Sequence, residues 1–213
     1  MASRDPTDTD PPPAPTRSSS SGGRRIVVID GHPDPDPARL CHALADAYAK
    51  GARTAGHGVT VVRLADLEVP FLRTQAAFEH GSVPDSLKPA ADAVVAADHL
   101  VLVFPLWLGT APALLKAFLE QVARPGIAFA YQDKGMPVKR FKGKSARLVV
   151  TMGMPPLIFR WWFGAHGVRG IERNILAFVG VAPIRRTLFG VGGGRPAAEA
   201  LVARLRALGA EGR

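Results

Sequence analysis

Short runs of β-branched and aliphatic residues alternate along the chain with stretches in which apolar residues recur every three or four positions, the pattern of strand–helix units in a parallel sheet. The first run, Ile26-Val27-Val28-Ile29, is apolar without alternation, as a strand covered on both faces requires, and it closes at Asp30-Gly31. Leu40, Leu44, Ala47 and Tyr48 then fall on one helical face, and Gly56 and Gly58 close that helix before a second strand, Val59-Thr60-Val61-Val62. The spacing predicts an Ala-rich helix over 86–98 and a strand Leu100-Val101-Leu102-Val103-Phe104 stopped by Pro105. A helix from Pro112 follows, with Leu115, Phe118, Leu119 and Val122 on its inner face. Arg147-Leu148-Val149-Val150 is a fourth strand; a helix over 170–178, a fifth strand over 184–191 and a last helix over 197–208 complete the pattern, with no internal repeat.

Five successive strand–helix pairs predict an α/β, doubly wound, five-stranded parallel sheet, and right-handed crossovers favour the strand order 2-1-3-4-5. Ligands bind such sheets where the strand order reverses, which here is between strands one and three. The loops to interrogate are therefore residues 31–39 and 105–111, with 151–155 alongside. Residues 1–25 differ in kind: they hold five prolines and a serine run, with almost no large apolar side chain, and read as a disordered tail ahead of one domain over 26–213.

Composition narrows the function. Hydrophobic residues make up 47% and charged residues 21%, near the averages of a folded globular chain. The single cysteine, Cys41, excludes an internal disulfide scaffold, and no run approaches the roughly 18 apolar residues of a membrane span. The N-terminus lacks the apolar segment of a secretory signal, so the expected location is the cytoplasm. A net charge of +9, nearly all of it on the body, favours anionic ligands. Zinc-ligand spacing, an RNP-like aromatic segment and a basic heptad helix are all missing, so nucleic acid is not expected as a partner; nor is a metal.

The loop Gly31-His32-Pro33-Asp34-Pro35-Asp36-Pro37-Ala38-Arg39 runs into a helix N-terminus, where unpaired amides favour a phosphate and His32 and Arg39 are candidate donors. It matches neither the dinucleotide glycine fingerprint nor a P-loop, and the competing reading is that Asp36 merely caps the helix. Phe104-Pro105-Leu106-Trp107-Leu108 offers backbone amides and apolar surface suited to a flat heteroaromatic ring; it lacks the aspartate that a phosphoacceptor receiver needs there. Thr151-Met152-Gly153-Met154-Pro155 is followed by Phe159, Trp161, Trp162, Phe163 and His166, aromatic surface that calls for a ligand, a second subunit or a membrane surface to cover it. His166 is a candidate proton carrier or a structural histidine.

Together, Gly31-His32-Pro33, the stretch Phe104 to Trp107 continued by Pro112-Ala113-Leu114-Leu115-Lys116-Ala117-Phe118, then Pro125-Gly126 with Ala128-Phe129-Ala130-Tyr131, and Thr151-Met152-Gly153 resemble the flavodoxin-like NAD(P)H quinone oxidoreductase family. The resemblance implies a flavodoxin-like fold and a homodimer carrying FMN or FAD, FMN ahead of FAD. It implies two-electron hydride transfer from NAD(P)H to a quinone-like acceptor. It places flavin contacts at His32, Arg39, Leu40, Cys41, Pro105, Leu106, Trp107, Leu108, Thr151, Met152 and Gly153, a substrate pocket at Phe129, Tyr131 and Trp161, and catalytic help at His166. The chain departs from the family pattern where Arg39 stands in place of a serine, where Met154 replaces a second glycine, and where His166 has no tyrosine partner in its loop, the two tyrosines being Tyr48 and Tyr131. The alternative function is a flavin-binding ancillary subunit that docks to a membrane or protein partner.

Overall fold

The structure, a computed structural model, describes residues 22–132, 134–190, 192 and 194–213. Five parallel strands, β1 (Arg25–Asp30), β2 (Gly58–Arg63), β3 (His99–Pro105), β6 (Ser145–Met152) and β7 (Ile184–Gly190), form a sheet in the order β2-β1-β3-β6-β7, the expected 2-1-3-4-5 winding. A separate antiparallel pair, β4 (Phe129–Ala130) and β5 (Val138–Lys139), projects from the connection into β6. The central strands carry unbroken apolar runs because both sheet faces are covered. Ile26, Val28, Val101, Val103 and Val149 pack under α1 (Leu40–Thr54) and α7 (Gly194–Ala210). Val27, Ile29, Leu100, Leu102 and Leu148 face α3 (Lys88–Ala96) and α4 (Ala113–Val122).

Several boundaries differ from the sequence reading. Arg24 and Arg25, assigned to the tail, belong to the body: Arg25 opens β1, and the Arg24 guanidinium donates to the Gly212 carbonyl at 2.6 Å. Residues 1–21 of the expected tail, and Val191 at the end of the expected fifth strand, lie outside the described residues. Helix α3 stops at Ala96, short of residue 98, because the Asp98 carboxylate takes the Arg25 amide at 2.9 Å and its guanidinium at 3.0 Å. The helix expected over 170–178 begins at His166 as α6 (His166–Gly170) and widens into a π-helical turn over Ile171–Leu176. Helices α2 (Gln75–His80), capped by Thr74, and α5 (Pro156–Trp161) were not expected. No helix among the described residues is long and apolar enough to cross a membrane.

Where the strands begin, buried polar groups close on one another. His99 Nδ1 pairs with Ser145 Oγ at 2.8 Å, and the Arg24 guanidinium donates to the same hydroxyl at 2.7 Å. Arg147 donates to Thr187 Oγ1 and to the Arg213 carbonyl, both at 2.9 Å, and Lys144 Nζ reaches the carbonyls of Val95 and Ala97. Burial, reinforced by the charges of Arg24, Arg147 and Arg185, lowers the His99 pKa to about 3.

Candidate functional site

The three loops meet at the opposite edge, where the strands end. Parallel register sets Asp30 beside both Arg63 and Val103, so the loops after β1 and β3 are neighbours at the switch point. The Leu106 amide donates to the Thr151 carbonyl at 2.7 Å and ties the β3 loop to the end of β6.

The first loop is built from three similar turns. The amides of Asp34, Asp36 and Ala38 donate to His32 Nδ1, Asp34 Oδ1 and Asp36 Oδ1, two residues back in each case, at 3.0–3.1 Å. A proline separates each pair and fixes its φ. These amides are thus satisfied within the loop, and the helical amides of Leu40 and Cys41 are the ones left facing it. The N-cap of α1 is Arg39, without a side-chain cap bond; Asp36 closes its own turn instead of capping the helix. The Arg39 guanidinium is paired to Asp34 at 2.7 Å and to Asp36 at 3.3 Å, so the aspartates neutralise it beside the helix N-terminus. Because it accepts at Nδ1, neutral His32 carries its proton on Nε2; burial and the neighbouring His42 ring both lower its pKa.

Beneath the loop lies a pair that sequence reasoning missed. Asp30, the last residue of β1, is fully buried, and its carboxylate accepts from His42 Nδ1 at 2.5 Å, Arg63 Nε at 3.3 Å and the His32 amide at 3.3 Å. His42 Nε2 reaches the Asp34 carbonyl at 2.9 Å. The signal in the sequence was a histidine adjoining Cys41 in the first turn of a helix whose neighbouring positions are apolar.

The second loop is a two-residue turn. Trp107 and Thr110 exchange backbone hydrogen bonds at 2.9 and 3.0 Å across Leu108 (φ 47°) and Gly109 (φ 80°), both left-handed. Leucine is rarely left-handed, and Leu108 is fully exposed at the tip. Trp107 sets its ring edge-on to His32, centroids 6.0 Å apart, and the His32 and His42 rings are 5.6 Å apart. In the third loop, Gly153 faces open space, with no atom within 4 Å of where a Cβ would stand.

The other candidates are scattered. The Cys41 side chain is buried, its thiol 3.4 Å from Thr151 Oγ1 and pushed up to about 12 by burial, so the thiol links α1 to β6 and faces away from the loop. Exposed His166 begins α6, whose Gly167 packs against Gly109 and Thr110 and so carries the histidine to the second loop. Phe129 and Tyr131, edge-on at 5.3 Å, line a cavity of about 260 Å³ with Phe78, Leu119 and Phe178. Trp161 lines a different groove, with Leu157, Ile158 and Trp162; the structure does not bring it to Phe129 and Tyr131 within one chain.

The curated protein "FMN-dependent NADH:quinone oxidoreductase 1" of Hahella chejuensis is 32% identical over 112 residues, covering 53% of this chain and 51% of that protein. The "FMN-dependent NADH:quinone oxidoreductase" of Cereibacter sphaeroides (strain ATCC 17029 / ATH 2.4.9) is 36% identical over 128 residues, 55% of this chain and 62% of its own length. The match thus spans between half and two thirds of these relatives. Among solved structures, the NAD(P)H:quinone oxidoreductase from Methanothermobacter marburgensis superposes with a TM-score of 0.75 at 21% identity, covering 90% of this chain and 100% of that one. An FMN-dependent NADH-azoreductase from Bacillus anthracis str. Ames Ancestor, in complex with FMN, gives 0.67 at 14% identity over 88% and 98%. A family model described as "Flavodoxin-like fold" matches residues 24–211, the whole of the sheet and its helices, and the chain belongs to that family.

Proposed function

We propose that this protein is an FMN-dependent oxidoreductase that takes reducing equivalents from NADH or NADPH and passes them to a small quinone-like or azo-like acceptor. The observation that carries the reading is the convergence of the three loops at the switch point: a helix N-terminus beside His32, an aromatic turn, and a glycine facing open space. The residues fit FMN. The α1 amides at Leu40 and Cys41 and the His32 Nε2–H would receive the phosphate, and Pro105, Leu106, Trp107 and Leu108 would flank the ring. The backbone at Met152 and Gly153 would meet its polar end, and the Thr151 carbonyl, which accepts from the Leu106 amide, holds that loop to the second one. FMN, when bound, supplies the hydride chemistry. The chain would place each substrate in turn over one ring face, with Trp107 and Leu108 excluding water and His166 carrying a proton. A homodimer covers the α5 face, where Trp161 and Trp162 are 80% and 84% exposed.

The test is the visible spectrum of the purified protein before and after anaerobic addition of NADH or NADPH. A flavin spectrum that bleaches, followed by recovery on adding a quinone or azo dye, is the expected result. A protein that refuses FMN overturns the reading. The same exposed aromatic face favours a second reading, a flavin-binding subunit docked on a partner, and a flavin band that neither nucleotide bleaches would select it.

A further inference from the structure

We propose that His42 is a positioning residue for the first loop, holding residues 31–39 in the shape that receives the ligand's phosphate. The inference rests on the reading of that loop as a phosphate site. Each ring nitrogen faces an acceptor, the buried Asp30 carboxylate at Nδ1 (2.5 Å) and the Asp34 carbonyl at Nε2 (2.9 Å), so the ring donates twice. The ring thus bridges the buried Asp30, which also accepts from Arg63, and the backbone of the loop.

The contacts that hold the loop differ in strength. The three turns at Asp34, Asp36 and Ala38 are local and fix each step of the chain without fixing where the loop sits. The Arg39 pairs to Asp34 and Asp36 are about half exposed, the class of ion pair that contributes little. The Gly31 amide, bonded to the Val103 carbonyl at 2.7 Å, anchors only the start. His42 alone among these ties the middle of the loop to α1 from a buried position, with a hydrogen bond at each ring nitrogen. It thereby sets the distance between the His32 ring, which the Asp34 amide orients, and the first amides of α1.

Asparagine at this position reproduces the Nδ1 donor and glutamine the Nε2 donor, so the two variants separate the bond to Asp30 from the bond to the loop. Dissociation constants for FMN and for riboflavin, read by flavin fluorescence quenching, report the phosphate contribution separately from ring binding. Wild type should prefer FMN. His42→Asn should lose about tenfold or more of that preference with riboflavin binding unchanged, and His42→Gln should stay within about threefold of wild type. Hydrogen exchange on the flavin-free proteins gives a readout that needs no cofactor: in His42→Asn the Asp34, Asp36 and Ala38 amides should exchange faster while the Gly31 amide does not. Equal behaviour of the two variants, or an FMN preference that survives in His42→Asn, overturns the proposal alone. A His42→Asn chain that fails to fold also overturns it, because a tie to one loop does not hold a sheet together. A wild type that binds FMN no more tightly than riboflavin overturns the phosphate-loop reading, and this proposal with it.

Discussion

The two edges of the sheet bury polar groups in opposite ways. Where the strands begin, Arg24, Lys144 and Arg147 spend their donors on the protein's own carbonyls and hydroxyls, and His99 sits neutral among them. Where the strands end, the chain Arg63–Asp30–His42–Asp34 leads outward from a buried carboxylate to a loop at the surface, and the Trp107 ring beside it is half exposed. At one edge the cations are paired with the protein's own acceptors while His99 Nε2 and the Tyr48 hydroxyl are left without a partner among the described residues; at the other the hydrogen-bonded chain runs out to a loop at the surface. Equal burial of charge therefore says little about function until the direction of the hydrogen bonds is followed.

The largest expected effect that would sharpen this contrast is acid destabilisation through His99. Its pKa is about 3 in the folded chain against 6.5 in the unfolded one, so between those values only the unfolded chain binds the proton. Stability is then full above pH 6.5 and falls as pH drops toward 3, by about 4–5 kcal/mol across the window. Urea midpoints at pH 7 and pH 4 should diverge in wild type and converge in His99→Gln; parallel slopes would remove His99 as the cause. Next, Arg147→Met deprives Thr187 and the Arg213 carbonyl of their donor and should cost about 2–4 kcal/mol of unfolding free energy with FMN affinity unchanged. A matching loss of FMN affinity would break the separation of the edges. At the other edge, Leu108→Gly relieves a left-handed leucine and should stabilise by up to about 1 kcal/mol while weakening flavin retention several-fold. Tighter flavin binding in that variant would mean that Leu108 does not touch the ring. Smallest in stability is His166→Ala, an exposed position expected within about 0.5 kcal/mol of wild type, whose turnover with bound flavin should nonetheless drop; unchanged turnover removes His166 from the chemistry.

The sheet and its winding were legible because unbroken apolar runs such as Ile26 to Ile29 have few alternatives once both faces need covering. The three loops followed from the winding. Short elements were not legible: α2 hangs on a cap from Thr74, and α5 is a six-residue turn whose Phe159 alone is buried, too brief for periodicity to register. The Cys41 side chain turns back to Thr151, a contact between α1 and β6 that no local spacing reveals. Asp30 and His42 escaped notice because their meeting requires α1 to fold back over the end of β1, a tertiary event with no local spacing rule. Arg39, a candidate phosphate donor in the sequence, is paired with Asp34 and Asp36, which only the turns of the loop bring round to it.

Pro33, Pro35 and Pro37, alternating with side chains that each clasp the amide two residues on, leave the first loop few conformations to lose. A receptor already in its bound shape admits ligand in a single encounter. In stopped flow, the observed rate of flavin capture should therefore rise linearly with flavin concentration, without the plateau that a loop closing after contact imposes.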